Sequence, residues 1–436
     1  MNHKRLISFP FWLQAGIAVT GGFLLYFCMG PWGIGTNSDS ANYIAGARNI
    51  LNGYGYRNFG SLSPITHWPP LYSFSLALIG LLGIDPLDGA RLLQSILFGI
   101  NILLIGIIIR KMTGALKMAL LGAFLALAST PLLIVHTWAC SEPWFLFFTF
   151  SGLYLLVQYL GGKPKSYLYY AAGLTALACL DRYAGAAVIA AGTLSILLLH
   201  NKDRWTRFKD CFVFGSISFI PLGLWLVRNE LMAGNLMRKS VQIHPPSADY
   251  FLKAYDTFST WVLPEQLPAA VRHVSLLFVI MFFCLLACSV ISKELRTQPL
   301  KLFVRDDLLR FITALVIFMV CFAGMHIAHH VLMNASVSAA DRHFSPLFVA
   351  GLLIALMFYG RFLKSSSGQP ILQKTLVFSL FLFAFSYAFS STQLMLDFYK
   401  DGYGHTSRFW RMSETINRIK ALPQNALIYA NNNAVI

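Results

Sequence analysis

Residues 91–110 read RLLQSILFGINILLIGIIIR, and between Arg91 and Arg110 no ionisable side chain interrupts the run. A helix of roughly 20 such residues rises about 30 Å, the thickness of a hydrocarbon layer. Similar apolar runs recur at about 9–30, 118–137, 143–160, 167–181, 185–200, 211–229, 273–292, 309–329, 345–360 and 373–392. The composition agrees: 56% of the 436 residues are hydrophobic and 12% charged, against about one quarter charged in a soluble domain. The runs predict an all-α membrane protein with about 11 transmembrane helices.

The net charge of +16 is spread over short loops and forms no basic stripe with interleaved aromatics, so no nucleic-acid partner is expected. Membrane lipids are. The seven cysteines lie in or beside apolar runs, with neither zinc spacing nor a paired framework. Met1 to Arg5 leads into the first run without a small-residue cleavage site, which reads as a retained signal anchor. With the N-terminus cytoplasmic, Lys4, Arg5, Arg110, Lys111, Lys163, Lys202, Arg207, Arg305, Arg310 and Arg361 gather on the cytoplasmic side in short loops. This bias sets the expected orientation in a bacterial inner membrane.

That layout puts the long connections, 31–90, 230–272, 330–344 and the tail from 393, on the periplasmic side, where function is sought. Ala41 to Leu51 reads as a short surface helix capped by Ser38 or Asp39. Leu71 to Leu82 is apolar but too short to cross, hence interfacial or re-entrant. Residues 1–392 form the membrane module. The polar segment 393–436 ends in a turn and a strand, which either docks on an outer loop or begins a soluble domain that is cut short.

Ionisable groups are costly at a lipid boundary, so the few acidic residues near the outer ends of spans are site candidates. Asp39 suits either a helix cap or a base. Glu142, before Pro143, suits a helix start, or a second carboxylate that orients a hydroxyl nucleophile. Arg182 interrupts an apolar stretch; it pairs with Asp181, anchors the chain at the interface, or supplies a fixed cation for a phosphate. Arg228-Asn229 and Asp341-Arg342-His343 raise the same possibility. His326, His329 and His330 share a helical face, a spacing open to zinc or to ordinary hydrogen-bonded surface histidines. Asn334-Ala335-Ser336 matches a glycosylation sequon.

Taken in order, these residues resemble a known family. Asp39, Tyr43, Ala47-Arg48-Asn49-Ile50-Leu51-Asn52-Gly53-Tyr54-Gly55, then His67-Trp68-Pro69-Pro70-Leu71-Tyr72, are similar to the first loop of the multi-spanning GT-C glycosyltransferases. Within these the chain looks most like bacterial relatives of the protein O-mannosyltransferases and of the aminoarabinose transferase of lipid A. Ala90-Arg91-Leu92, Ser141-Glu142-Pro143, Leu180-Asp181-Arg182-Tyr183-Ala184-Gly185, Trp225 to Asn229 and Arg342-His343-Phe344-Ser345-Pro346 extend the resemblance.

The resemblance implies GT-C architecture with interfacial helices in the first outer loop. It implies inverting transfer of a sugar from a polyprenyl-phosphate donor to an acceptor at the periplasmic face. Asp39 and Glu142 are then catalytic. Arg182, with His67 and Arg342, takes the donor phosphate, and Tyr43, Trp68, Tyr72 and Arg228 line the pocket. No cofactor is implied, and a metal is not demanded. Where aminoarabinose transferases carry a lysine before the Pro-Pro pair, this chain has Trp68. The donor sugar of that branch therefore does not carry over. The other function classes are a transporter or flippase, and a polymerase or ligase, of lipid-linked saccharides.

Overall fold

A computed structural model of the chain describes residues 9–58, 63–237, 243, 245, 247–295, 306–332, 341–365 and 370–423. In chain order the helices are α1 (Phe9–Cys28), α2 (Ser38–Leu51), α3 (Leu71–Gly80), α4 (Pro86–Thr113), α5 (Leu116–Leu127), α6 (Thr130–His136), α7 (Glu142–Leu160), α8 (Ser166–Asp181) and α9 (Gly185–Leu199). They continue as α10 (Arg204–Ala233), α11 (Ala248–Thr260), α12 (Ala269–Leu295), α13 (Asp307–Leu332), α14 (Asp341–Ser365), α15 (Pro370–Asp401), α16 (Arg408–Arg411) and α17 (Glu414–Lys420). Among the described residues there is no β-strand, only isolated backbone bridges.

The helix that carries the opening run shows why the ends fall where they do. Asp85 caps α4 by accepting from Leu87 N, Pro86 occupies the first turn, Arg110 and Lys111 stand in the last, and Gly114 closes it at φ 68°. Acidic start, basic finish and a left-handed glycine stop all complement the unsatisfied ends of a helix.

The described residues hold seven helices long and apolar enough to cross a membrane, or eight if α5 and α6 form one broken span bent by 55°. Every expected run coincides with a helix or with this bent pair, but not every one is long enough. α8 and α9 have 16 and 15 residues, a rise of about 24 and 22 Å. Hydropathy marked their apolar stretches, while the extended residue Arg182 and the turn at Tyr183 and Ala184 cut the pair short. The break between α5 and α6 falls at Ser129, ahead of Pro131 in the first turn of α6.

α3 has ten residues, about 15 Å of rise, and does not cross. Tyr72, Ser73, Leu76 and Ala77 are buried, while Phe74, Leu78, Leu81 and Leu82 point away from the protein. Both faces are thus apolar, as suits a segment between core and lipid. α2 begins earlier than expected, at Ser38, and its cap is Asn37, not Ser38 or Asp39: Asn37 Oδ1 accepts from Ser40 N at 3.0 Å. The reason lies just upstream, where Gly35 and Thr36 pair with Trp138 and Gly404 and keep the backbone extended up to Asn37. The expected strand at 424–436 and the sequon at 334–336 lie outside the described residues.

α7 packs against α8, α1 against α4, α8 against α10, and α9 against α13, while α14 touches α4, α6 and α7. The N-terminal ends of α2, α7 and α14 and the C-terminal end of α8 meet at one end of this bundle.

Candidate active site

Four charged residues from four distant segments meet at that end. Asp39 lies in the first turn of α2, Glu142 opens α7, Arg182 follows the last residue of α8, and Arg342 lies in the first turn of α14. Arg342 Nη2 stands 2.5 Å from Asp39 Oδ2, and its Nε 3.8 Å from Glu142 Oε1. Arg182 Nη1 stands 2.8 Å from the same Glu142 oxygen and donates to Ser141 Oγ at 3.1 Å. Ser141 Oγ and Tyr43 OH share a further hydrogen bond of 3.2 Å.

Burial separates the two carboxylates. The Glu142 side chain is 4% exposed, against 28% for Asp39, 24% for Arg182 and 21% for Arg342. A carboxylate withdrawn from water requires compensating charge, which two guanidiniums supply here. Asp39 keeps partial access to solvent. The start of each helix adds to the charge balance, since α2 and α7 present the positive ends of their dipoles to Asp39 and Glu142.

The polar wall around them is neutral. Burial raises the Tyr43 phenol well above its ordinary range, so it donates or accepts as a neutral hydroxyl. Burial, assisted by the charge of Glu142, pushes the Cys140 thiol up to about 12. Arg342 Nη1 approaches its sulfur at 3.5 Å.

The remaining expected residues divide into two groups. Tyr43 packs edge-on against Tyr72 at 5.1 Å and Trp68 at 6.1 Å, and His67 packs edge-on against Trp68 at 4.5 Å. Tyr72 is fully buried and hydrogen-bonds Gln94 at 3.1 Å, so it supports the wall from behind. Arg228 stands apart from the carboxylates: it donates to Ile65 O at 2.8 Å and lies over the Trp225 ring. Tyr183 OH donates to Thr66 O at 2.8 Å, and Asn229 reaches the same oxygen at 3.4 Å. This second cluster anchors the segment that carries His67 and Trp68.

Arg182 reaches across to Glu142 and, among the described residues, forms no ion pair with its neighbour Asp181, one of the alternatives the sequence leaves open. His326 Nδ1 bonds Tyr250 OH at 2.8 Å, and the Tyr250 ring stacks on His330 at 4.0 Å. Among the described residues no group of three His, Cys, Asp or Glu is placed to hold a metal ion. Two participants were not singled out from sequence, Ser141 and Cys140, whose signal was adjacency to Glu142.

Residues 67–226 match the family model described as dolichyl-phosphate-mannose-protein mannosyltransferase. Over that stretch the chain is similar to this family. The match includes Trp68, Glu142 and Arg182, and leaves Asp39 and Arg342 on either side. Among solved structures the chain is similar to ArnT from Cupriavidus metallidurans bound to undecaprenyl phosphate, with 13% identity, 88% of this chain and 77% of that chain covered, and a TM-score of 0.48. For ArnT from the same organism in the apo state the figures are 14%, 88%, 76% and 0.47. No curated protein matches the chain.

Proposed function

We propose that the chain is an integral-membrane glycosyltransferase that moves a sugar from a polyprenyl-phosphate carrier to an acceptor hydroxyl, with inversion at the anomeric carbon. The observation that carries this reading is the meeting of Asp39, Glu142, Arg182 and Arg342 at the end of an apolar bundle. The family match over residues 67–226 supports it.

The chemistry follows from the charges. An acceptor hydroxyl approaching Asp39 gives its proton to the carboxylate as its oxygen attacks the anomeric carbon, and the bond from that carbon to the phosphate oxygen breaks. The transition state resembles an oxocarbenium ion. The departing phosphate gathers charge, which Arg182 and Arg342 meet with fixed guanidiniums. Glu142 holds both arginines in place between turnovers. Since these cations suffice for a phosphate already joined to its lipid, no metal is demanded.

The donor's lipid stays in hydrocarbon while its phosphate reaches the polar end of the bundle, and the outward apolar residues of α3 suit the boundary it crosses. The proposed orientation has the N-terminus cytoplasmic and the site on the periplasmic side of a bacterial inner membrane. Mass spectrometry of envelope lipids and glycans in cells lacking the gene tests this. A missing sugar restored by the wild-type gene and not by Asp39→Asn supports the transferase. Restoration by both favours a transporter of lipid-linked saccharides.

A further inference from the structure

Three backbone segments far apart in sequence run side by side next to the carboxylates. Gly35 bridges in parallel to Trp138, and Thr36 to Gly404. The bonds are Gly35 N to Thr137 O at 2.8 Å, Ala139 N to Gly35 O at 2.9 Å and His405 N to Thr36 O at 2.8 Å. Side chains fasten the third segment. Thr406 Oγ1 donates to Ile34 O at 2.6 Å, Trp32 Nε1 donates to Lys400 O at 2.9 Å, and the Tyr403 and Trp138 rings lie 4.6 Å apart.

The approach is too close for a side chain at its centre. Gly404 has φ +60°, and a Cβ there would stand 2.3 Å from Thr36 O and 2.6 Å from the Trp138 ring. At Gly35 a Cβ would stand 2.9 Å from Thr137 O. Neither backbone oxygen can step aside without moving its segment.

The ladder also sits where position matters. Asn37, the cap of α2, follows Thr36 directly, and Asp39 stands in the first turn after it; Trp138 leads through Cys140 to Glu142. Ser40 Oγ and Cys140 Sγ, 3.4 Å apart, continue the pairing up to the carboxylates. The two helix starts that deliver Asp39 and Glu142 are therefore set by one ladder, and its third segment comes from beyond the last long helix.

We infer that Gly402–Thr406 is a positioning element of the transfer site: it holds the 34–36 and 137–139 segments in register and so sets the separation of Asp39 and Glu142. This rests on the transferase reading for its consequence, and on the ladder alone for its mechanics. Misplacement of a reacting group by about 1 Å can cost roughly 100-fold in rate.

The test uses the full chain with Gly404→Ala, and with Thr406→Val beside Thr406→Ser, which keeps the hydroxyl. Hydrogen exchange is followed in peptides covering 33–40 and 137–142, and kcat and KM are measured with a polyprenyl-phosphate sugar. Gly404→Ala and Thr406→Val are expected to speed exchange in both peptides and to lower kcat about tenfold or more, with donor KM within about twofold. Thr406→Ser is expected to behave as wild type. Unchanged exchange overturns the inference, as does faster exchange with unchanged kcat. Thr406→Ser failing as badly as Thr406→Val also counts against it. If the wild-type protein transfers no sugar while the exchange coupling holds, the transferase reading fails and the mechanical coupling stands.

Discussion

Arg342 bridges two carboxylates that the chain keeps far apart: its Nη2 lies 2.5 Å from Asp39 Oδ2 while its Nε faces Glu142 Oε1 at 3.8 Å. Arg182 approaches that same Glu142 oxygen from the other side at 2.8 Å. Glu142 is thus the shared counter-ion of two cations, and Asp39 the exposed end of the chain of charges.

Replacing Arg342 by Ala strips Asp39 of its cation and leaves Glu142 with one. Binding of a labelled polyprenyl phosphate is expected to weaken at least about tenfold. Arg342→Lys should recover part of the affinity, because an ammonium carries the charge without the planar fork. Equal binding by wild type and Arg342→Ala would remove this residue from the phosphate site.

Glu142→Gln deletes a buried charge and leaves the Arg182 guanidinium without its carboxylate partner, while Arg342 keeps Asp39. Breaking a buried pair by removing one partner costs on the order of 3 kcal/mol, which a thermal melt in detergent will show as a clear drop. Added polyprenyl phosphate should recover more of that loss in Glu142→Gln than it adds to wild type, since its charge replaces the missing one. A melt that the phosphate leaves unmoved would contradict this.

Cys140 lies at the centre of this network, and its thiol is pushed up to about 12. The thiolate is the reactive form, so at pH 8 only about one part in ten thousand is ionised, against roughly a quarter for an ordinary thiol. Reactivity therefore rises with pH far later than usual. Alkylation of Cys140, followed by peptide mass spectrometry, is expected to be negligible at pH 8 in the folded protein and complete after denaturation. Rapid labelling of the folded protein would show that water reaches the floor of the site.

Much of this was legible in the residues themselves. Apolar runs such as 91–109 and 309–329 gave their helices because a span is a property of local composition. Asp39, Glu142, Arg182 and Arg342 stood out singly, as charges at the ends of such runs. Their convergence was not legible, for Arg342 and Asp39 lie 303 positions apart and no local period joins them. The broken span at Ser129 had a signal in Pro131, which hydropathy averaged over. Asn37 is itself a favoured cap type, but so are Ser38 and Asp39 beside it, and composition does not choose among them; the ladder at Gly35, Trp138 and Gly404 had no signal, since single bridged residues leave no alternating pattern.

The most direct measurement is single-turnover release of polyprenyl phosphate from a sugar-loaded donor by purified wild-type protein and Asp39→Asn. With Asp39 as the base, the variant binds the donor and melts as wild type does but releases product at least roughly 100-fold more slowly. Release at the wild-type rate would contradict a catalytic Asp39.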